Sequence, residues 1–237
     1  MSVVWHDLEC GPYVEDLRLW RALAAKHGDP VLDIGAGTGR VTLDLAHHGY
    51  RVTALDRDAG LIAELARRAG DLPVASVVAD ARHFDLGRRF PLCVVPMQTI
   101  QLLPGSGGRA EFLRCAHRHL EPGGLIAVAL NEDLEEYDIP DGMPGPSPDI
   151  CEIDGVVYSS RPTAVRAEAD GFVLERRRET VNTTGDHTVE DDRIKLDRLT
   201  CAQLEREAAA VGLRPAGRDI VPETDDYAGS EVVFLGV

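Results

Sequence analysis

Three carboxylates and three glycines carry the chemistry this sequence offers. The stretch "VLDIGAGTGR", residues 31–40, sets Asp33 inside an apolar run and follows it with Gly35, Gly37 and Gly39. Glycine accepts positive φ and lets a ligand lie against bare backbone. A helix opening near Thr38 presents free N–H groups and a positive dipole end at that place. Asp56 follows Gly39 by seventeen residues, at the end of the next β-branched run. On a doubly wound sheet its carboxylate lies beside the glycine turn and can accept hydrogen bonds from both hydroxyls of a ribose. Each such charge-assisted bond is worth about 1.5–3 kcal/mol. Asp80, closing the run "VVAD", is placed to meet an adenine amino group, and Leu61 can wall the base. The plainer alternatives are a ligand-free βα turn, Asp56 and Asp80 as turn or capping acids, and Leu61 as core.

The glycine spacing narrows the ligand. In the dinucleotide pattern G-x-G-x-x-G the third glycine would fall at position 40, which is Arg40; here it is Gly39. No Gly-Lys pair occurs, so the P-loop pattern is absent too. Neither a pyrophosphate cradle nor a γ-phosphate site is indicated.

The elements that must position these residues alternate. A helical period over 13–27 ends at Gly28, and "PVLDIGAG" reads as a buried strand. "TGRVTLDLAHHG" is a helix, "YRVTALD" a strand and "RDAGLIAELARRAG" a helix. "VASVVAD" and "FPLCVVPM" are the third and fourth strands, "GRAEFLRCAHRHLEPGG" a helix and "LIAVALN" the fifth strand. This alternation predicts βαβ units on a parallel sheet. Residues 131–150 hold four prolines and seven acids and read as a long loop. Beyond them, "VVYSSRPTAVRAEA" and "GFVLERRRETV" read as strands joined by an Asp170-Gly171 turn. Thr200 and Gln203 form a capping box that opens the helix "CAQLEREAAAVG", and "LRPAGRDIV" and "EVVFLGV" close the chain as strands. The expected architecture is an α/β, doubly wound, Rossmann-like seven-stranded sheet, mostly parallel with an antiparallel last strand. It forms a single domain over 1–237, with a core of 10–131 and 198–237 and a lid loop and β-rich insertion over 132–197.

Composition limits the partners. With 25 basic and 40 acidic residues the net charge is −15, and the one basic run, "ERRRE" at 175–179, is flanked by acids and reads as a solvated strand face. Nucleic acid is therefore disfavoured as a substrate. No apolar run approaches a membrane span and no secretory signal is expected, so the expected location is cytoplasmic. The five cysteines are scattered without a C-x-x-C pair, which suits a reducing compartment and argues against disulfides or structural zinc. His47, His48, His117 and His119 are expected on helix surfaces. No metal is expected.

The residues "VLDIGAGTGRVTLDLAHHGYRVTALDRD", "VVADARHFDLGRRF", "VVPMQTIQLL" and "HRHLEPGGLIAVALN" resemble the successive motifs of class I S-adenosylmethionine-dependent methyltransferases. The likeness is to the small, single-domain subgroup with a β-rich insertion. It implies that Asp33, Gly35, Ala36, Gly37 and Gly39 face the methionine part of S-adenosylmethionine. It implies that Asp56 meets the ribose and that Asp80 and Ala81 meet the adenine, with Arg57 and Leu61 as further cofactor-binding candidates. It also implies that Pro96 and Met97 line the cofactor and that Tyr13 covers it, with S-adenosylhomocysteine as product. The sequence departs from the family at Pro91, where an Asp is usual, and this is expected to alter the start of the fourth strand. It departs again at Met97, Gln98 and Gln101, toward the acceptor pocket. Gln98, Gln101 and Asn131 are the candidate substrate contacts.

A sulfonium methyl is already activated, so the protein has mainly to align a nucleophile and exclude water. No catalytic triad is needed and none is found in the sequence. The fourth strand ends in Val95-Pro96-Met97-Gln98, unlike the Asn/Asp-Pro-Pro-Tyr segment of base amino methylation. The expected reaction is methyl transfer to the nitrogen or oxygen of a small molecule, by a monomer or homodimer. The alternatives are a non-catalytic binder of the same cofactor and an oxidoreductase with an aberrant dinucleotide turn. Glu132, Asp133 and Glu135 are candidates to attract a cationic amine, and His187 is a candidate base for a hydroxyl acceptor.

Overall fold

The computed structural model describes residues 3–140, 143, 145–224 and 227–237. Two short helices, α1 (Val3–Cys10) and α2 (Leu17–His27), precede β1 (Val31–Ile34). The alternation follows as α3 (Arg40–His47), β2 (Val52–Asp56), α4 (Ala59–Ala69), β3 (Val74–Val78), β4 (Phe90–Val95), α5 (Gly105–Arg118) and β5 (Leu120–Leu130). After a second group of strands come α6 (Cys201–Ala209), β11 (Arg214–Val221) and β12 (Ser230–Gly236).

The large sheet has seven strands in the order β11-β12-β5-β4-β1-β2-β3. β1, β2, β3, β4 and β5 pair in parallel, while β12 runs antiparallel to β5 and to β11. Apolar residues on both faces of β1 and β4 explain why these strands sit in the middle. One face packs Leu32, Ile34, Cys93, Val95 and Ile126 against α5 and α6 through Phe112, Leu113 and Leu204. The other packs Val31, Val94, Ala127 and Val232 against α2 and α3 through Trp20, Leu23 and Leu45. Each large side chain so buried contributes roughly 1.5–3 kcal/mol. At Pro91, which has no N–H to give the ladder, the β4–β5 register shifts between Phe90 and Leu92, as expected for that position.

The second sheet is antiparallel, in the order β10-β9-β8-β6, with β7 also pairing β8. Its strands are β6 (Tyr137–Asp138), β7 (Asp149–Ile153), β8 (Val156–Ala167), β9 (Gly171–Val181) and β10 (His187–Asp197). The loop expected over 131–150 thus contains β6 and the start of β7; its Asp141, Gly142 and Pro144 lie outside the described residues.

Four expectations need correction. The helix expected over 13–27 begins at Leu17, and Tyr13 and Val14 lie ahead of it. α1 and β10 have no counterpart in the periodicity. The run 175–179 is not simply a solvated face: alternation in β9 turns Arg176 and Arg178 inward, and Arg178 is buried. Nor is His119 a surface residue. It is buried, its Nδ1 bonds the Cys115 carbonyl at 2.8 Å, and its Nε2 accepts from Leu86 N at 3.1 Å.

Candidate active site

The ends of β1, β2, β3 and β4 converge on the glycine turn. Gly35, Gly37 and Gly39 all have positive φ, at 74°, 56° and 100°. A side chain on Gly35 would run into Thr99, and one on Gly37 into the His6 ring, so these two positions exclude a Cβ on grounds of space as well as backbone. Asp56 closes the turn from the neighbouring strand. Its Oδ2 accepts from Gly37 N at 3.0 Å and its Oδ1 from Asp58 N at 2.9 Å. One bond per oxygen leaves further lone pairs on each. The cap of α4 is Asp58, which accepts from Gly60 N and Leu61 N, so Asp56 is not spent as a helix cap.

Asp33 lies fully buried beneath the turn. Thr42 Oγ1 donates to its Oδ2 at 2.6 Å, and Oδ1 has no partner among the described residues. Burial pushes its pKa up to about 6, against the pull of Thr42 and the Arg40 charge. Ala36 is buried within the turn, Leu61 is buried on α4 and Arg57 is exposed beside Asp56. Asp80 is held by Arg82, whose Nε and Nη2 bond its two oxygens at 2.9 and 2.6 Å while Arg82 N adds a bond at 2.9 Å. Arg82 keeps the Asp80 carboxyl far below its ordinary range. Most of its acceptor capacity is thereby used.

At the end of β4, Met97 adopts φ 54°, a left-handed conformation that costs a non-glycine residue about 1–2 kcal/mol. Such strain clusters where a site needs it. Thr99 Oγ1 bonds the Pro96 carbonyl at 2.9 Å and fixes the turn, leaving Met97 and Gln98 partly exposed beside it. Tyr13 is buried under the Arg40 guanidinium, which lies 5.0 Å from its ring centre and pairs with Asp16. Burial, reinforced by the Asp16 charge, pushes its phenol up to about 12.

Two candidate acceptor contacts prove to be structural ties. Gln101 Nε2 donates to the carbonyls of Asn131 at 2.9 Å and Asp197 at 3.0 Å, and its Oε1 accepts from Asn131 N at 2.8 Å. Asn131 in turn bonds the Gly229 carbonyl and Asp133 N. The acids of the following segment are largely occupied as well. Glu132 accepts from Cys201 N at the start of α6, Glu136 from Ala167 N, and Asp138 pairs with Arg166. His187 is paired with Glu179 on the exposed β9–β10 ladder. Among the described residues no group of His, Cys, Asp and Glu is arranged to hold a metal, and no helix is long and apolar enough to cross a membrane.

Sequence reasoning missed α1, which roofs the turn. Thr38 Oγ1 donates to Asp7 Oδ1 at 2.7 Å and contacts His6 Nδ1 at 3.2 Å; Arg68 holds both Asp7 oxygens. Glu9 anchors the other side of α1, accepting from Arg178 at 2.7 Å twice and from Ser160 at 2.7 Å. Trp5 packs edge-on to Tyr158 and under Arg178. The signal available in the sequence was the density of polar types in "WHDLEC", which carry chemistry but no period.

Residues 31–124 match the profile of the family described as "Methyltransferase domain". The chain is 36% identical over 118 residues to a demethylmenaquinone methyltransferase of Beutenbergia cavernae, covering 47% of each protein. Across the first curated relatives the match spans about half of their length. Among solved structures, the CcbJ methyltransferase of Streptomyces caelestis superposes with a TM-score of 0.73 at 22% identity, over 99% of this chain and 95% of that one. The S-adenosylmethionine-bound aminopentose methyltransferase CalS10 of Micromonospora echinaspora superposes at 0.70 with 17% identity, over 99% and 97%. Over residues 31–124 the chain is thus similar to methyltransferase domains, and along its whole length it shares the fold of these solved methyltransferase structures.

Proposed function

We propose that the protein transfers the methyl group of S-adenosylmethionine to a nitrogen or oxygen of a small molecule. The observation that carries the reading is Asp56, bonded to Gly37 N with acceptor capacity to spare, beside a buried Asp33 whose Oδ1 lacks a partner. An ammonium and a sugar hydroxyl are donors that those two carboxylates can still accept from. The donor fits these residues: Asp33 and the turn from Gly35 to Gly39 would hold the amino-acid end and Asp56 and Arg57 the ribose. Leu61, Asp80 and Ala81 would hold the base, under Tyr13 and beside Pro96 and Met97. Bound there, the sulfonium supplies an activated methyl group.

The chain's own work is then positional. Met97 and Gln98, on their strained turn, form the wall nearest the acceptor, and the antiparallel sheet over 132–197 excludes water from above. Positioning of this kind contributes up to about 7–11 kcal/mol of barrier lowering. Asp133 and Glu135, exposed acids in the segment leading to that sheet, would favour a cationic amine. A small-molecule nitrogen or oxygen acceptor is supported by the match to an aminopentose methyltransferase along nearly the whole chain.

The test is calorimetry with S-adenosylhomocysteine on the wild type and Asp56→Ala. Losing its charge-assisted bond to the ribose is expected to weaken binding by about 10- to 100-fold. Unchanged affinity in the variant overturns the assignment. A screen for tritiated-methyl transfer to amines, hydroxyls and carboxylates then identifies the acceptor class, and binding without transfer to any of them would point to a non-catalytic binder.

A further inference from the structure

Thr38 has one hydroxyl hydrogen, and that hydrogen goes to Asp7 Oδ1 at 2.7 Å. The His6 Nδ1 that meets the same oxygen at 3.2 Å must therefore be the donor. This fixes the imidazole as its Nδ1–H form and leaves the lone pair on Nε2. That nitrogen lies against the Cα of Gly37, where an added Cβ would collide with it, and it has no hydrogen-bond partner among the described residues. Gly37 N is the group bonded to Asp56. An acceptor nitrogen on α1 and a carboxylate on β2 thus both stand beside one glycine.

We propose that His6 is a cofactor-binding residue, whose Nε2 accepts a hydrogen bond from a ribose hydroxyl of the donor while Asp56 takes the other; this rests on the function proposed above. Arg68, Asp7 and Thr38 are its positioning residues. Arg68 fixes Asp7, Asp7 orients the Thr38 hydroxyl, and that hydroxyl selects the tautomer. The groups facing the ring are Asp7 and Glu9 on α1, Asp56 on β2, Thr38 at the start of α3 and Arg68 on α4. Burial outweighs the three acids and holds the imidazole below its ordinary pKa, so it stays neutral and able to accept at physiological pH. The same arrangement gives α1 a reason to sit on the turn, since it completes the sugar site from above.

The experiment measures the affinity of the full chain for S-adenosylhomocysteine and for adenosine, which keeps the ribose and lacks the amino-acid tail. His6→Phe fills the space without an acceptor, and His6→Gln restores an acceptor oxygen. At pH 8, His6→Phe is expected to bind both probes about tenfold more weakly than wild type, and His6→Gln to recover most of the loss. The gap between wild type and His6→Phe should narrow steadily below pH 6, as a protonated Nε2 stops accepting. Thermal midpoints close to wild type show that both variants fold. Equal affinity of wild type and His6→Phe for both probes overturns the proposal, as does a loss confined to S-adenosylhomocysteine. Failure of the wild type itself to bind either probe overturns the function on which the proposal rests, and the proposal with it.

Discussion

Asp33 holds a carboxylate in the middle of an apolar strand, with one oxygen bonded to Thr42 and the other to no group among the described residues. Its pKa is raised from 3.8 to about 6, so the folded chain binds this proton more tightly than the unfolded one. A raised carboxylate costs stability as pH climbs from about 4 to 6, and the cost is constant above that window. Asp33→Asn should therefore gain on the ligand-free wild type across that window and hold the gain at higher pH. The difference is about 2–3 kcal/mol at most, read by denaturant melts at each pH. For the donor the sign reverses. Affinity of the wild type should rise between pH 5 and 7 as Asp33 ionises to meet the ammonium, while Asp33→Asn should bind weakly and respond less to pH. Parallel curves for the two proteins would remove Asp33 from the site. The meeting of Asp33, the glycines and Asp56 at one turn was legible from sequence because it follows from residue type and strand position. The occupation of Gln101, Asn131 and Asp80 by other protein groups was not, because those partners are distant in sequence or depend on rotamers.

α1 and the sheet of β6 to β10 hold each other through ions. Glu9 is buried between Arg178, Arg176 and Ser160, and burial, which alone would raise its pKa, is outweighed by the bonds from Arg178 and Ser160. Removing one member of such a set strands the others. Glu9→Ala is expected to cost about 3–5 kcal/mol of local stability. The loss should show as faster amide exchange in α1 and a red shift of Trp5 emission, with exchange in β1 and β4 unchanged; protection of α1 at wild-type levels would refute it. This anchoring also explains what the sequence concealed. An eight-residue helix that buries Leu8 alone and uses His6, Asp7 and Glu9 for its contacts shows little apolar period, and β10, "HTVEDDRIKLD", buries only Leu196 and pairs its charges across to Glu175 and Arg177 on β9. The parallel strands announced themselves through their short apolar runs, as in β1 and β4, which are followed by Gly35 and Pro96.

For the whole molecule, the large sheet and the smaller one are joined where Gln101 touches both segments of chain that pass between them. Arg109 repeats the join nearby, pairing with Asp197 at 2.6 Å and Glu207 at 2.8 Å. Gln101→Leu loses three hydrogen bonds and leaves buried carbonyls unsatisfied, an expected cost of about 2–4 kcal/mol. Thermal unfolding monitored separately at Trp5 and Trp20 should then split into two transitions; a single unshifted transition would show that the join is dispensable. Because one amide nitrogen reaches the carbonyls of both Asn131 and Asp197, the outgoing and returning strands of chain stand almost side by side. A short connector can span that gap. The stretch between Asn131 and Asp197 can therefore be exchanged as a cassette while the strands of the larger sheet keep their partners.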